Sequence, residues 1–230
     1  MAITTGEQTG SVTYSAIKLA GLAGILSTAL GVAGVIVDQM WTIPGTGATA
    51  GEIAGFVDTH RSALLIALVL TTIGVSLWLV FGVGVWLSMR ATASDESFLA
   101  GFVSFVTLLF AGFTSFLVLV YRAPAASDPR LLYDLSFGLL AMSGVPTALA
   151  LCAYATQVFR DGRLPGWTAW VAVAAALANL VLLASLVIRS GFFSLEGGVT
   201  IAIPGTLFVW IIGMSVTMMR TDRSAASIGG

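Results

Sequence analysis

Three charged residues stand where chemistry could begin. Asp38, Arg122 and Asp134 each terminate a long apolar run, and helical steps of three and four residues set each at the end of a stripe of small side chains. An arginine buried between two carboxylates is held by bidentate hydrogen bonds, and removing one partner leaves an unpaired charge at a cost of about 3–5 kcal/mol. Such a cluster would line a polar pocket at the mouth of a helical bundle. Alternatively, Arg122 reaches to lipid headgroups and Asp134 sits in the first turn of its helix, where the macrodipole favours an anion.

A second group is Glu52, Asp58 and His60, which Asp38 and Glu196 could complete as metal ligands. One histidine among carboxylates is a poor zinc set, because catalytic zinc takes two or three nitrogen or sulfur ligands at regular spacing. No metal is therefore expected, and His60 with Arg61 reads as an anchor at the water boundary. Asn179 is the amide deepest inside an apolar run, and Gln157 lies near the end of another. Interhelical hydrogen bonding is the ordinary role for both, with substrate contact the alternative for Asn179. Cys152 has no base near it in sequence and reads as a small apolar residue. The chain lacks a glycine-rich phosphate loop, a histidine pair for haem or zinc, and a Gly-x-Ser-x-Gly elbow. It also carries no Asp or Glu in the middle of an apolar run, where a proton-coupled carrier places one. No catalytic residue and no cofactor follow from these residues.

Composition dictates the elements that must hold them. The 230 residues are 57 % apolar and 9 % charged, against roughly 25 % charged in a soluble domain, and mean hydropathy is +0.99. A single cysteine excludes a disulfide scaffold, and ten basic residues against eleven acidic ones argue against nucleic acid as a partner. A charge at the centre of a bilayer costs about 2.5–3.5 kcal/mol even on the lenient insertion scale, so charge-free runs mark spans. There are six, at 19–37, 62–89, 97–121, 135–159, 164–188 and 197–219. Each can cross a core of roughly 30 Å once, at 1.5 Å per residue, and none shows the alternation of a barrel strand.

The expected fold class is all-α: a polytopic bundle of six transmembrane helices over about 17–38, 62–89, 97–121, 133–159, 165–188 and 198–219. Polar tails at 1–16 and 220–230 complete a single membrane domain. The one long connection, Asp38 to Arg61, holds Thr49-Ala50-Gly51-Glu52, a capping-box pattern, followed by Ile53, Phe56 and Val57 on one face. This predicts a short interfacial helix over the outer mouth. Lys18, Arg90, Arg160, Arg163, Arg220 and Arg223 lie on the side of the termini, against Arg61, Arg122, Arg130 and Arg189 opposite. Six against four places both termini in the cytoplasm. One lysine beside nine arginines, with abundant Ala, Val and Gly, suggests a GC-rich bacterial genome and hence a bacterial plasma membrane.

Between apolar helices in lipid, close approach at small residues and polar contacts drive association. Inward faces are expected at Ala20, Gly24, Ser27, Gly31 and Gly34, and at Ala100, Ser104, Thr107, Ala111 and Ser115. Two more are expected at Gly138, Ala141, Val145, Ala148, Cys152 and Ala155, and at Ala172, Ala175, Ala176 and Asn179. Pro146 and Pro204 each remove a helix hydrogen bond and predict kinks. Trp41, Trp78, Trp86, Trp167, Trp170 and Tyr121 fall near the expected interfaces and read as an aromatic belt.

Around the fifth span the chain reads Tyr154-Ala155-Thr156-Gln157-Val158-Phe159-Arg160-Asp161-Gly162-Arg163-Leu164-Pro165-Gly166-Trp167. A basic loop with Leu-Pro then Trp, opening a small-residue helix, resembles a family of uncharacterised bacterial six-span integral membrane proteins, defined only as a domain of unknown function. The Gly-Leu-Ala-Gly-Ile-Leu opening of the first span and the long loop before the second fit its layout, over about residues 17–219. The resemblance implies the six-helix fold and no catalytic residues.

The sequence therefore yields an architecture rather than an activity. The leading expectation is a non-enzymatic accessory or scaffold subunit of a membrane complex, or a binder of a lipid-like molecule between its helices. Its partners would be the lipid bilayer, other membrane subunits or further copies of itself. A small-molecule transporter or channel using the charged mouth is the alternative, and a membrane enzyme acting on an apolar substrate the third.

Overall fold

The computed structural model describes residues 5–38, 40–45, 47–89, 95–123, 125 and 127–220, apart from the side chains of 5–14, 38, 95 and 201. Eight α-helices and one 3-10 turn make up the described chain, with no strand among the described residues. They are α1 (Thr5–Asp38), α2 (Ala50–Thr59), α3 (Arg61–Met89), α4 (Asp95–Arg122), α5 (Pro129–Met142), α6 (Gly144–Asp161), α7 (Gly166–Val181), the 3-10 turn Leu182–Leu186, and α8 (Val199–Arg220). Six stretches are long and apolar enough to cross a membrane: Ser15–Val37, Arg61–Met89, Glu96–Arg122, Pro129–Asp161, Gly166–Leu186 and Ala202–Arg220. The chain is an all-α, multi-pass membrane protein.

Each span neighbours the next, and α8 returns to pack on α1, so the six close a ring. One half of its interior is filled by aromatic rings. Trp210 meets Tyr154 and Phe81 edge-on, at centroid distances of 5.1 and 5.6 Å, and Phe102 packs against Phe81 and Phe98. The Tyr154 hydroxyl lies 2.7 Å from the Thr168 oxygen, whose own proton goes to the Pro165 carbonyl. This end of the ring is packed with buried side chains.

Small residues set the seams. The expected face of α1 is buried throughout, from Ala20 to Gly34. A Cβ on Gly84 would collide with Ala20, and one on Gly34 would meet Thr71 and stand 3.2 Å from the Ala67 carbonyl. The α7 face, Ala172, Ala175, Ala176 and Asn179, is likewise buried.

The expected α4 face is the wrong one. Ala100, Ser104, Thr107 and Ala111 are exposed, and Phe98, Gly101, Phe102, Phe105, Val106 and Leu109 point inward. Phenylalanine rings of α4 fill the interior it faces, with glycine where it meets the fourth span, and the displaced Thr107 hydroxyl satisfies itself locally, donating to the Val103 carbonyl at 2.8 Å. On the fourth span Ala141, Ala148 and Ala155 are buried, but Val145 and Cys152 are exposed. That span breaks at Ser143–Gly144, ahead of Pro146. Restarting the helix at Gly144 puts Pro146 in a first turn, where its missing N–H has no intrahelical carbonyl to serve.

The short interfacial helix forms as the capping box requires. Thr49 Oγ1 accepts from the Glu52 amide at 3.3 Å, and Glu52 Oε2 accepts from the Thr49 amide at 2.7 Å. Ile53 and Val57 are buried against Leu64, Leu119, Val120 and Tyr133, which roofs the open half of the ring; we call this the cap end. The backbone and side-chain hydrogen bonds from Thr49 lower the Glu52 pKa below its ordinary value. A lowered carboxylate stabilises the fold above its ordinary pKa of about 4.3 and loses that contribution as pH falls through the folded value. The Ala50–Ile53 amides should therefore show less protection in acid than at neutral pH, measured against their intrinsic exchange rate at each pH. In Glu52→Gln, hydrogen-exchange mass spectrometry should find the acid-induced difference gone; its persistence would place the acid sensitivity elsewhere.

Candidate functional site

The charged cluster anticipated at the mouth does not assemble among the described side chains. Asp134 pairs with Arg130 one turn away on α5, at 3.6 Å, while Arg122 is exposed at the end of α4. An i,i+4 partner is available wherever the helix forms, whereas an interhelical one needs both helices in register. Asp38 ends α1, and its side chain lies outside the described residues.

The metal candidates are also separated. Glu52 is engaged in the α2 cap, Asp58 is exposed, and His60 turns its ring against Trp41 and Phe56, at 4.5 and 4.7 Å. His60 Nδ1 lies 2.9 Å from the Phe56 carbonyl. No group of three or more His, Cys, Asp or Glu among the described residues could hold a metal. Gln157 donates to Asp161 at 2.6 Å, at the end of the bundle opposite the cap.

The aromatic belt is only partly a belt. Trp167, Trp170 and Tyr121 are exposed. Trp78 instead lies in the core, its ring 5.5 Å from Phe105 and 5.9 Å from Phe208, with its indole nitrogen buried and lacking a hydrogen-bond partner among the described residues.

Trp78 marks the floor of the site that the charges do not make. In the cap half the ring is not filled, and a cavity of about 400 Å³ remains between the spans. Its walls are mostly apolar, with Val75, Leu109, Phe113, Phe137, Leu182 and Leu207 among them. Phe56 of α2 and Ile43 of the loop before it border it at the cap. Val32 and Ile36 also border it while 41 % and 60 % exposed on the outside of α1, so the space reaches the side of the bundle. Thr200, Pro204 and Gly205 of α8 belong to the same wall.

Comparison of the chain with protein-family models, with curated proteins and with solved structures finds no match.

The polar groups on the wall are few. Ser27, Thr71, Ser136, Ser143 and Thr200 each donate to a carbonyl three or four residues back on their own segment, at 2.6–2.7 Å. Asn179, 5 % exposed, gives one N–H to the Ala175 carbonyl at 2.8 Å, its single hydrogen bond to a described residue. Glu196 brings the one carboxylate, from the loop before α8. Of the residues singled out in the sequence for chemistry, Asn179 and Glu196 reach this site. The serines and threonines were visible as hydroxyls clustered in the cap halves of four spans, but each alone looks like an ordinary helix hydroxyl.

Proposed function

We propose that this protein binds a lipid-like molecule in the cap half of its helical ring, holding it without converting it. The cavity carries the proposal: about 400 Å³ of mostly apolar space inside a membrane bundle, within the range of roughly 300–1,000 Å³ usual for small-molecule sites. The border at Val32 and Ile36 gives such a ligand a route from the bilayer without crossing α2. We place the protein in a bacterial plasma membrane with both termini cytoplasmic, on the basic bias of six against four. The cap end then faces outward, and the ligand belongs to the outer leaflet.

Native mass spectrometry of protein released from a mild, lipid-retaining extract tests this. Wild type should carry one small adduct of defined mass, and Leu140→Trp, which places an indole in the cavity, should lose it. Bare wild-type protein would overturn the proposal. Release with a second polypeptide and no adduct would do the same, in favour of an accessory subunit.

A further inference from the structure

The wall is one-sided in its hydrogen bonding. All five hydroxyls commit their protons to backbone carbonyls of their own segments; Ser27 is fully buried, and the other four have only oxygen lone pairs left to face a guest. Pro204 has no N–H to offer the Thr200 carbonyl one turn earlier, which leaves another acceptor beside Thr200 Oγ1. Glu196 contributes a carboxylate, and no Lys, Arg or His among the described residues lines the space. On the donor side stand the second N–H of Asn179 and the Trp78 indole N–H, and the latter is buried out of reach.

Resting on the binding role proposed above, we propose that the cavity selects an apolar ligand whose polar end is a hydrogen-bond donor. A hydroxyl or a protonated amine fits; a carboxylate or phosphate does not. An anionic end would meet acceptors and a carboxylate in a low-dielectric space, with one amide N–H to receive it. A donor finds a partner at several points, and an amine adds charge attraction to Glu196. Selection of this kind does not follow from the apolar walls, which would accept any chain.

The probes are mid-chain dibrominated stearyl alcohol, stearylamine and stearic acid, each in phosphatidylcholine vesicles holding the full-length protein. Bromine quenches tryptophan at contact range, and the difference between wild type and Trp78→Phe isolates the ring on the cavity wall from the exposed tryptophans. The alcohol and the amine should quench Trp78 at mole fractions about tenfold or more below that needed for the acid, since a buried unmatched polar group costs about 1–3 kcal/mol. Glu196→Gln should raise the amount of amine needed and leave the alcohol unchanged. Thr200→Val, which removes an acceptor oxygen from the wall, should weaken both, and Ser143→Ala serves the same purpose if that variant does not fold. Equal quenching by all three probes, or a preference for the acid, overturns donor selection and leaves the binding role intact. No quenching of Trp78 by any probe overturns the binding role itself.

Discussion

Leucine at Gly101 should prevent the ring from closing. A Cβ there would lie 2.9 Å from the Pro146 carbonyl oxygen, 2.9 Å from the Ala150 amide nitrogen and 3.2 Å from its Cα. All three are backbone atoms of α6, so no rotamer change can make room and the two helices must separate. Alanine alone falls in the overpacking range of about 1–3 kcal/mol, and leucine goes beyond it. Because little hydrophobic force holds helices together in lipid, lost close packing is not replaced by burial elsewhere. Thermal unfolding in detergent should show Gly101→Ala with a clearly lowered Tm and Gly101→Leu with no monodisperse protein to melt. Gly138→Ala is the matched control: its Cβ meets nothing within 4 Å, and removing a glycine from a helix interior gains about 0.5–1 kcal/mol. If Gly101→Ala melted like Gly138→Ala, the α4–α6 contact would not be as drawn.

Gly74→Val should open the cavity itself. A Cβ on Gly74 would stand 3.0 Å from the Ser27 carbonyl and 3.4 Å from the Gly31 amide nitrogen, so α3 touches the α1 backbone where both line the cavity. Valine forces α1 outward by more than side chains can absorb, and the wall parts at Ser27 and Gly31. The expected result is a stability loss of about 1–3 kcal/mol, together with loss of the adduct seen for wild type. An unchanged Tm with the adduct retained would show that α1 yields without disturbing the site.

How far the sequence could be read depended on which force set each feature. Six spans were legible because the cost of a charge in the bilayer core exceeds any local preference, and the second to sixth begin within a few residues of their charged markers; α1 instead starts at Thr5, inside the expected polar tail, because nothing before Lys18 stops a helix outside the apolar core. The α2 helix was legible because its capping box is local: Thr49 and Glu52 need only each other. The α1 face was legible because glycine at van der Waals contact has no substitute. The α4 face was not, because in lipid polarity does not say which side is inward, and Phe102 and Phe105 filled the space that Ser104 and Thr107 were expected to face. The break at Ser143–Gly144 was displaced from Pro146 because a helix restarts where proline is tolerated. The cavity was illegible because it is an absence shared by every span, and no single run of residues records it.

The self-satisfied hydroxyls bear on how the chain enters the membrane. Thr71, Thr107, Ser136, Ser143 and Thr200 complete their donor bonds within their own segments, so these protons need no neighbouring span as the chain leaves the translocon, whereas the Tyr154 hydroxyl meets Thr168 only once α7 has packed. Insertion can then precede association, each helix being stable in lipid before the ring exists. The fourth span is the exception in length: α5 alone, 14 residues long, reaches only about 21 Å. It must therefore enter together with α6, as one unit.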